Sequence, residues 1–204
     1  TRKYWTVELE ELDTDWVGPR IGTPNIEQVI NGALTDSAQH YNYITMFRYP
    51  KNGGFSAFYN SIPDGQNINL NHNVVQIHPE SKSLLFSDGS TEHYDHLISS
   101  IPLPELIKAM PSAPAPVVEA ADRLRWTSHF LVNVGVKGNN PQDGYWIYYY
   151  DQAIPFSRVS FPSRFSADNA PNGHYSLQAE VVYSVHKPLD DPDTITEKVI
   201  DSLC

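Results

Sequence analysis

Alternation of apolar and polar residues dominates the last third of the chain. After residue 127, runs with a period of two recur, as expected for strands with one face in a core. Turns rich in Asn, Gly and Pro separate them, which is typical of antiparallel connections. The runs are SHFLVNVGVKG, YWIYYYD, FSRVSFP and HYSLQAEVVYSVH. The pattern predicts an antiparallel sheet.

Helical spacing of apolar residues appears on either side of this region. In PNIEQVINGAL, Ile26, Val29, Ile30 and Leu34 share one face and Pro24 precedes the first turn, which predicts an amphipathic helix. Other predicted helices are 9–16, the segment after the glycine turn in KNGGFSAFYNSI, LPELIKAM, APVVEAADRLRW, and DTITEKVIDSLC with Asp193 as its N-cap.

Short β-type runs fill the middle of the chain. YITMFRYP predicts a strand that ends at Pro50, and NINL, NVVQIHPE, SLLFSDG, STEHYD and HLISSIP are separated by turn residues at short intervals. This spacing predicts a β-meander. The fold class is therefore α+β, with helices on one side of an antiparallel sheet.

The composition narrows the classes of ligand. The 204 residues are 40% hydrophobic, which excludes a disordered chain, and 24 acidic residues against 14 Lys and Arg give a net charge of −10. This charge argues against nucleic acid or an anionic membrane as the main partner. No apolar run approaches the about 18 residues that span a bilayer, so we expect a cytoplasmic protein. An anionic small molecule would need locally placed arginines.

Several common site signatures are absent from the sequence. There is no GxGxxG, GxxxxGK[ST] or GxSxG motif, and the single cysteine, Cys204, cannot form an internal disulfide or a Cys-based zinc site. Of eight histidines only His93 and His96 are close, in a turn context, so no metal is predicted. The Gly53-Gly54 turn is either structural or a place where a flat ligand approaches the backbone.

Residues 144–171 gather flat rings and forked cations. Four tyrosines, one tryptophan and two arginines lie in these 28 residues. A strand there would place Trp146, Tyr148 and Tyr150 on one face, and a hairpin with 156–161 would bring Tyr148 or Tyr150 near Arg158. Rings beside an arginine suit a ligand with a flat base and phosphates. The alternative is that the rings fill the sheet and Arg158 forms a surface ion pair.

The same segment resembles eukaryotic-type UDP-galactopyranose mutases. Their pattern W-x-Y-x-P-E, P-F-Y-R and S-N-Y-S-P-x-N-x-P is similar to WIYYYDQAIPFSRVSFPSRFSADNAP. RKYWTVELEELDTDWVGPRIGTPN and FRYPKNGGFSAFYNSI resemble further segments of that family. NVVQIHPESKSLLFSDGSTEHYDHLISSIP resembles the meander of the wider superfamily of flavin amine oxidases and protoporphyrinogen oxidases. The chain differs from the mutase pattern at three places: Phe55-Ser56 replaces T-G, Ser157 replaces the Y of P-F-Y-R, and Tyr150-Asp151 replaces P-E. These differences are compatible with a related flavoprotein that has another substrate.

The resemblance implies a longer protein that binds FAD through segments outside this chain. Residues 1–43 would then be a helical part of the substrate domain, 44–102 part of the FAD domain, and 103–204 the substrate-binding sheet. The chain alone would be inactive and without FAD. The resemblance also implies roles for individual residues. Arg20 and Arg158 would hold a diphosphate, Tyr148 would form a hydrogen bond with that diphosphate, and Trp5 and Trp146 would line the substrate pocket. Gly53 and Gly54 would contact the flavin ring, and the backbone of Val74 would contact adenine.

Three functions stay open at this point. In the mutase mechanism that the resemblance implies, flavin carries the chemistry, so no catalytic side chain is assigned. A flavin oxidoreductase acting on an amine, a porphyrinogen-like ring or a carotenoid-like substrate would share the meander and the glycine turn, but would not need Arg20 and Arg158 together. The chain by itself could also be a domain without activity.

Overall fold

The computed structural model describes residues 2–15, 24–35, 46–60, 62 and 65–204. It is an α+β protein with antiparallel sheets, as the sequence predicts. Two compact units are present: Thr1–Ile62 together with Thr127–Cys204, and Pro63–Trp126. The predicted boundaries after residues 43 and 102 fall inside these units. The assignment of the three segments to cofactor and substrate domains stays a prediction.

The first unit is built on a four-stranded antiparallel sheet. Its strands are β4 (Ser128–Lys137), β5 (Trp146–Tyr148), β6 (Arg158–Ser160) and β7 (His174–Tyr183), in the order β4-β7-β6-β5. β4 and β7 pair along ten residues, from Ser128 opposite Tyr183 to Lys137 opposite His174. All four predicted strands are present, but β5 and β6 are shorter than their apolar runs.

One face of this sheet and the last helix form the main core. Helix α7 (Pro192–Leu203) packs its buried Ile195 and Val199 against that face. The other buried members of the cluster are Val132, Phe156, Val159, Phe161, Ala179 and Val181. The predicted N-cap was wrong: Asp191 caps the helix, accepting the N–H of Thr194 at 3.1 Å, because Pro192 occupies the first turn and the cap must precede it.

The N-terminal segments of the first unit are mostly exposed. Helix α2 (Ile26–Leu34) confirms the predicted amphipathic helix, and Asn25 and Gln28 form its capping box. The predicted helix at 9–16 was wrong over the described residues: α1 is Arg2–Trp5, and Leu9–Glu11 forms only a 3₁₀ turn. The carboxylate of Asp13 accepts the N–H of Asp15 at 3.0 Å, a local turn that competes with helix.

The glycine turn leads into a short helix, α3 (Ser56–Asn60), as predicted. The strand predicted to end at Pro50 is not formed over residues 46–50; residues 43–45 lie outside the described residues. Phe47 and Tyr49 instead place their rings against Phe165, with centroids 5.5 and 5.3 Å apart. This unit also contains helix α6 (Pro162–Phe165) and a 3₁₀ turn at Ala167–Asn169.

The second unit is a three-stranded meander followed by two helices. Strands β1 (Val74–His78), β2 (Ser83–Phe86) and β3 (Thr91–His93) pair in sequence order, and α4 (Leu103–Lys108) and α5 (Ala115–Asp122) follow. The predicted strands NINL and HLISSIP are not formed. The N–H of Ile77 in the edge strand β1 donates to the carbonyl of Ala109 at 2.7 Å, so the end of α4 occupies that edge.

The described residues contain neither a membrane-spanning helix nor a cluster of metal ligands. No helix there combines the length and the apolar character needed to cross a membrane. Within the same residues, no group of three or more His, Cys, Asp or Glu side chains is arranged to hold a metal ion.

Candidate functional site

The sheet face opposite the α7 core carries polar and aromatic side chains in two cross-strand rows. Register places Tyr148 opposite Arg158, Arg158 opposite Glu180, and Glu180 opposite Leu131. The neighbouring row is Trp146, Ser160, Gln178 and Asn133. Directly opposed side chains on one face lie in contact distance, so each row is a continuous strip across four strands.

Arg158 makes the central contacts of the first row. Its Nε donates to Oε1 of Glu180 at 2.8 Å, and its Nη2 lies 2.6 Å from the same oxygen. Its Nη1 donates to the hydroxyl of Tyr148 at 3.4 Å, and the guanidinium carbon lies 5.7 Å from the centre of that ring. The predicted hairpin is therefore confirmed, with Tyr148 rather than Tyr150 beside Arg158.

The ion pair between Arg158 and Glu180 is largely buried. Glu180 is 4% exposed, whereas the Arg158 side chain keeps about a third of its surface open. Burial works to lower the pKa of Arg158, but the hydrogen bond and charge of Glu180, with Tyr148, outweigh it and raise that pKa. The alternative that Arg158 forms a surface ion pair is thus confirmed in part: Arg158 is in an ion pair, but its partner Glu180 is buried.

The guanidinium retains donors for a ligand. Of its five N–H groups, one on Nε and one on Nη1 donate hydrogen bonds, to Glu180 and Tyr148, and Nη2 lies in ion-pair contact with Glu180. N–H groups on both Nη atoms therefore have no hydrogen-bond partner in the described part of the chain, and the two Nη atoms of an arginine can together bind a carboxylate or a phosphate. The arrangement can bind an anion.

Aromatic rings flank Trp146 in the second row. Its ring stacks on Phe165, with centroids 6.4 Å apart and planes 16° apart, and lies 6.0 Å from Phe47. Tyr145 also contacts Phe47 and Phe165. Trp146 is half-buried in this cluster, so it is fixed in place and presents only part of its ring.

Trp5 lies in α1, which packs on the other end of the sheet. Its ring meets Tyr4 edge-on at 5.2 Å, and Tyr4 meets His129 edge-on at 5.7 Å. Nδ1 of His129 in turn lies 3.5 Å from Oε2 of Glu180. The structure therefore connects Trp5 to the Arg158 row through two intermediate side chains. Arg20 lies outside the described residues.

The Gly53-Gly54 turn packs against the segment 166–169. The N–H of Gly53 donates to Oδ2 of Asp168 at 2.6 Å, and the hydroxyl of Ser166 donates to the carbonyl of Lys51 at 2.8 Å. A side chain on Gly54 would overlap Oδ1 of Asn169. This packing explains the need for glycine at position 54 without any ligand.

Gly53 fits the approach of a flat cofactor ring better than Gly54 does. Gly53 is exposed, and among the described residues a Cβ there would meet Ala57 alone, at 3.4 Å, whereas Gly54 is buried. An adjacent cavity of about 300 Å³ is lined by Arg48, Tyr49, Pro50, Ala57 and Phe58. The residues of this turn therefore fit FAD at one of the two glycines.

Val74 begins β1 in the second unit. It is half-buried and pairs with Phe86, and the ladder is irregular between Val74 and Gln76. Such an irregularity leaves backbone groups outside the regular pairing, which suits a backbone contact with a ligand. Its contact with adenine stays a prediction.

Sequence reasoning missed Glu180 and His129. A signal for Glu180 was present: it is the single charged residue in the otherwise apolar and neutral run SLQAEVVY. A lone carboxylate in a strand expected to be buried indicates a buried cationic partner. The run does not say which arginine that partner is.

Comparison with protein families places the chain. The model of the family "flavin containing amine oxidoreductase" matches residues 21–204, and the chain belongs to this family.

Two solved structures resemble the chain. A crystal structure of reduced UDP-galactopyranose mutase matches 98% of this chain with a TM-score of 0.85 and 27% identity. The chain spans 46% of that mutase, or about half its length. A structural-genomics protein from Pyrococcus furiosus matches 65% of this chain at 17% identity, with a TM-score of 0.51 and 33% of its own length covered, which shows likeness of fold alone. The family and the mutase neighbour indicate a flavoenzyme and imply FAD as the cofactor of the longer protein.

Proposed function

We propose that the chain is part of an FAD-dependent enzyme similar to UDP-galactopyranose mutase, acting on a sugar nucleotide. The observation that carries this proposal is the guanidinium of Arg158, oriented by Glu180 and Tyr148 with N–H groups on both Nη atoms left over. The likeness to the mutase structure over nearly the whole chain supports it.

In this proposal the chain's own residues bind and orient the substrate. The spare N–H pair of Arg158 holds a diphosphate through charge-assisted hydrogen bonds. The hydroxyl of Tyr148 adds a hydrogen bond, and the rings of Trp146 and Trp5 form walls around the sugar nucleotide. Arg20 supplies a second cation. When bound, FAD would supply a flavin as the reacting group at the anomeric carbon, and the proposed contacts of this cofactor are Gly53, but not the buried Gly54, and the backbone of Val74.

The partner class follows from the charge. A chain with a net charge of −10 repels polyanions unless cations are concentrated locally. We therefore propose a small-molecule ligand in place of nucleic acid or a membrane. Independently of the charge, we also propose a cytoplasmic location.

A second candidate is a flavin oxidoreductase for an amine or apolar substrate. It is favoured by the matched family, and by the fact that Glu180 already neutralises Arg158. A paired arginine does not require an anionic ligand, so the ion pair alone is compatible with either function.

Calorimetric titration of UDP and UDP-galactose into the reduced full-length protein separates the two candidates. We expect micromolar binding that is lost in Arg158→Ala, with flavin absorbance unchanged. Arg164→Ala is the matched control, because Arg164 also pairs with a carboxylate, Asp143, at 2.7 Å, but lies outside the strip. Absence of UDP binding in a wild-type protein loaded with FAD would favour the oxidoreductase.

A further inference from the structure

We propose that Glu180 is a positioning residue that holds the guanidinium of Arg158 in the orientation that binds the diphosphate. This inference rests on the proposed function of Arg158. Glu180 itself does not touch the ligand: it is 4% exposed, and its Oε2 is fully buried. It acts through Arg158.

The location of Glu180 makes its side chain rigid. It lies on β7, between β4 and β6, so neighbouring strands restrict it on both sides. A buried carboxylate is retained only when it is paired, and Arg158 on the adjacent strand supplies the charge. The pair is therefore restrained by the sheet from two strands at once.

The two oxygens of Glu180 have different surroundings. Both contacts from Arg158, by Nε and Nη2, reach Oε1. Oε2 has no hydrogen-bond partner among the described residues and lies 3.5 Å from Nδ1 of His129. A side chain placed this way between Arg158 and His129 cannot rotate without breaking the contacts at Oε1.

These contacts decide which edge of Arg158 is available. The edge formed by Nε and Nη2 faces Glu180, and Nη1 is turned toward the hydroxyl of Tyr148. N–H groups on both Nη atoms remain available to a ligand, and the two Nη atoms are spaced to bind two oxygens of a phosphate. Without Glu180, the long arginine side chain would sample other rotamers, and binding would have to restore this one.

The charge of Glu180 gives the inference a sharp test, because charge and positioning predict opposite results. Glu180→Gln removes a negative charge close to the proposed diphosphate, so a purely electrostatic role predicts tighter binding of UDP. A positioning role predicts weaker binding, because the amide holds the guanidinium less firmly.

We therefore compare the affinity for UDP of wild type, Glu180→Gln and Glu180→Asp in the full-length, FAD-loaded protein. We expect at least a tenfold loss for Glu180→Gln, with flavin content retained, and a smaller loss for Glu180→Asp, which keeps the charge on a shorter side chain. Asp143→Asn is the control: it removes the carboxylate from the matched pair with Arg164, whose acid is fully exposed, and should leave affinity unchanged.

A second measurement covers the case in which Glu180→Gln does not fold. In ¹⁵N NMR spectra of the wild type, the Nε–H of Arg158 should be slow to exchange both before and after UDP is added, because Oε1 of Glu180 holds it in both states. Rapid exchange in either state overturns the inference. Unchanged or tighter binding by Glu180→Gln overturns it while leaving the proposed function intact. Absence of UDP binding in the wild type overturns both.

Discussion

Oδ1 of Asn169 occupies the place where a side chain on Gly54 would begin. Nδ2 of the same residue donates to the hydroxyl of Tyr49 at 3.2 Å and to the carbonyl of Pro162 at 2.8 Å, so Asn169 is fixed on two sides. The glycine turn and the segment 166–169 are thus in direct contact at Gly54. This contact gives Gly54 a structural function that is independent of FAD.

Gly54→Ala should lower the free energy of unfolding by about 2–4 kcal/mol, from the cost of a positive φ and from overlap with Asn169. Gly54 has a φ of 61°. Gly53→Ala is the matched control: its φ is 77°, but its Cβ would have room, so we expect a loss of only about 1–2 kcal/mol. Denaturant unfolding measures both. Adding Asn169→Ala to Gly54→Ala should recover the part of the lost unfolding free energy that comes from overlap with the Asn169 side chain. If Gly53→Ala and Gly54→Ala lose equal stability, the packing argument is contradicted.

The core between the sheet and α7 offers a comparison between two valines. Val199 is 0% exposed and Val185 is 82% exposed. Val199→Ala should cost about 1.5–3 kcal/mol of unfolding free energy, from two lost methyl groups and the cavity that they leave. Val185→Ala should change it by less than about 0.5 kcal/mol. Thermal or denaturant unfolding of both variants is the measurement, and similar losses would mean that α7 does not pack as described.

Strands with clear alternation could be predicted from the sequence, and those with pairing set by distant segments could not. The runs around Val132 and Ala179 alternate over most of their length, and both form strands of ten residues. The run ending at Pro50 has a similar apolar content, but its described residues, 46–50, pair with no strand, because Phe47 and Tyr49 pack as rings on Phe165. Tertiary contacts of this kind override β-propensity.

In the candidate site, likewise, contacts within one hairpin could be predicted from the sequence, whereas contacts between distant strands could not. The proximity of Tyr148 and Arg158 follows from the length of one hairpin, so it could be predicted from local sequence. The pairing of Arg158 with Glu180 requires knowing that β6 lies beside β7, and two strand orders are compatible with the same alternation. His129 enters only because β4 is the other neighbour of β7. Period-two patterns define faces, and neighbours within a sheet are defined by packing.

Lys3 should make stability depend on pH in the alkaline range. It is 7% exposed, and its Nζ donates to the carbonyl of Asp151 at 2.7 Å. Burial, followed by repulsion from Lys187, lowers the pKa of Lys3 in spite of attraction to Asp151. Between that lowered pKa and the ordinary value of 10.5, the unfolded chain binds more protons than the folded one, so the free energy of unfolding rises with pH.

Lys3→Met should remove this rise. Denaturant unfolding from neutral to alkaline pH should show wild type gaining stability relative to Lys3→Met as pH increases. Loss of the hydrogen bond to Asp151 changes the stability difference between wild type and Lys3→Met by the same amount at every pH. The slope of that difference against pH therefore reports the titration of Lys3. Lys137→Met, at an exposed position of β4, is the control and should follow wild type at every pH. A parallel pH dependence for wild type and Lys3→Met would contradict the assignment.

Tyr148→Phe should separate the contribution of the Tyr148 hydroxyl to UDP binding from the contribution of its ring. The change removes the hydroxyl that accepts Nη1 of Arg158 and keeps the ring, whose centre lies 5.7 Å from the guanidinium carbon. We expect a loss of about three- to tenfold in UDP affinity, the size of one hydrogen bond, without a change in flavin content. Tyr150→Phe is the control, because Tyr150 is 76% exposed and lies outside the paired strand. If the affinity of Tyr148→Phe equals that of wild type, the hydroxyl does not contact the ligand, and the contribution of Tyr148 is limited to its ring beside Arg158.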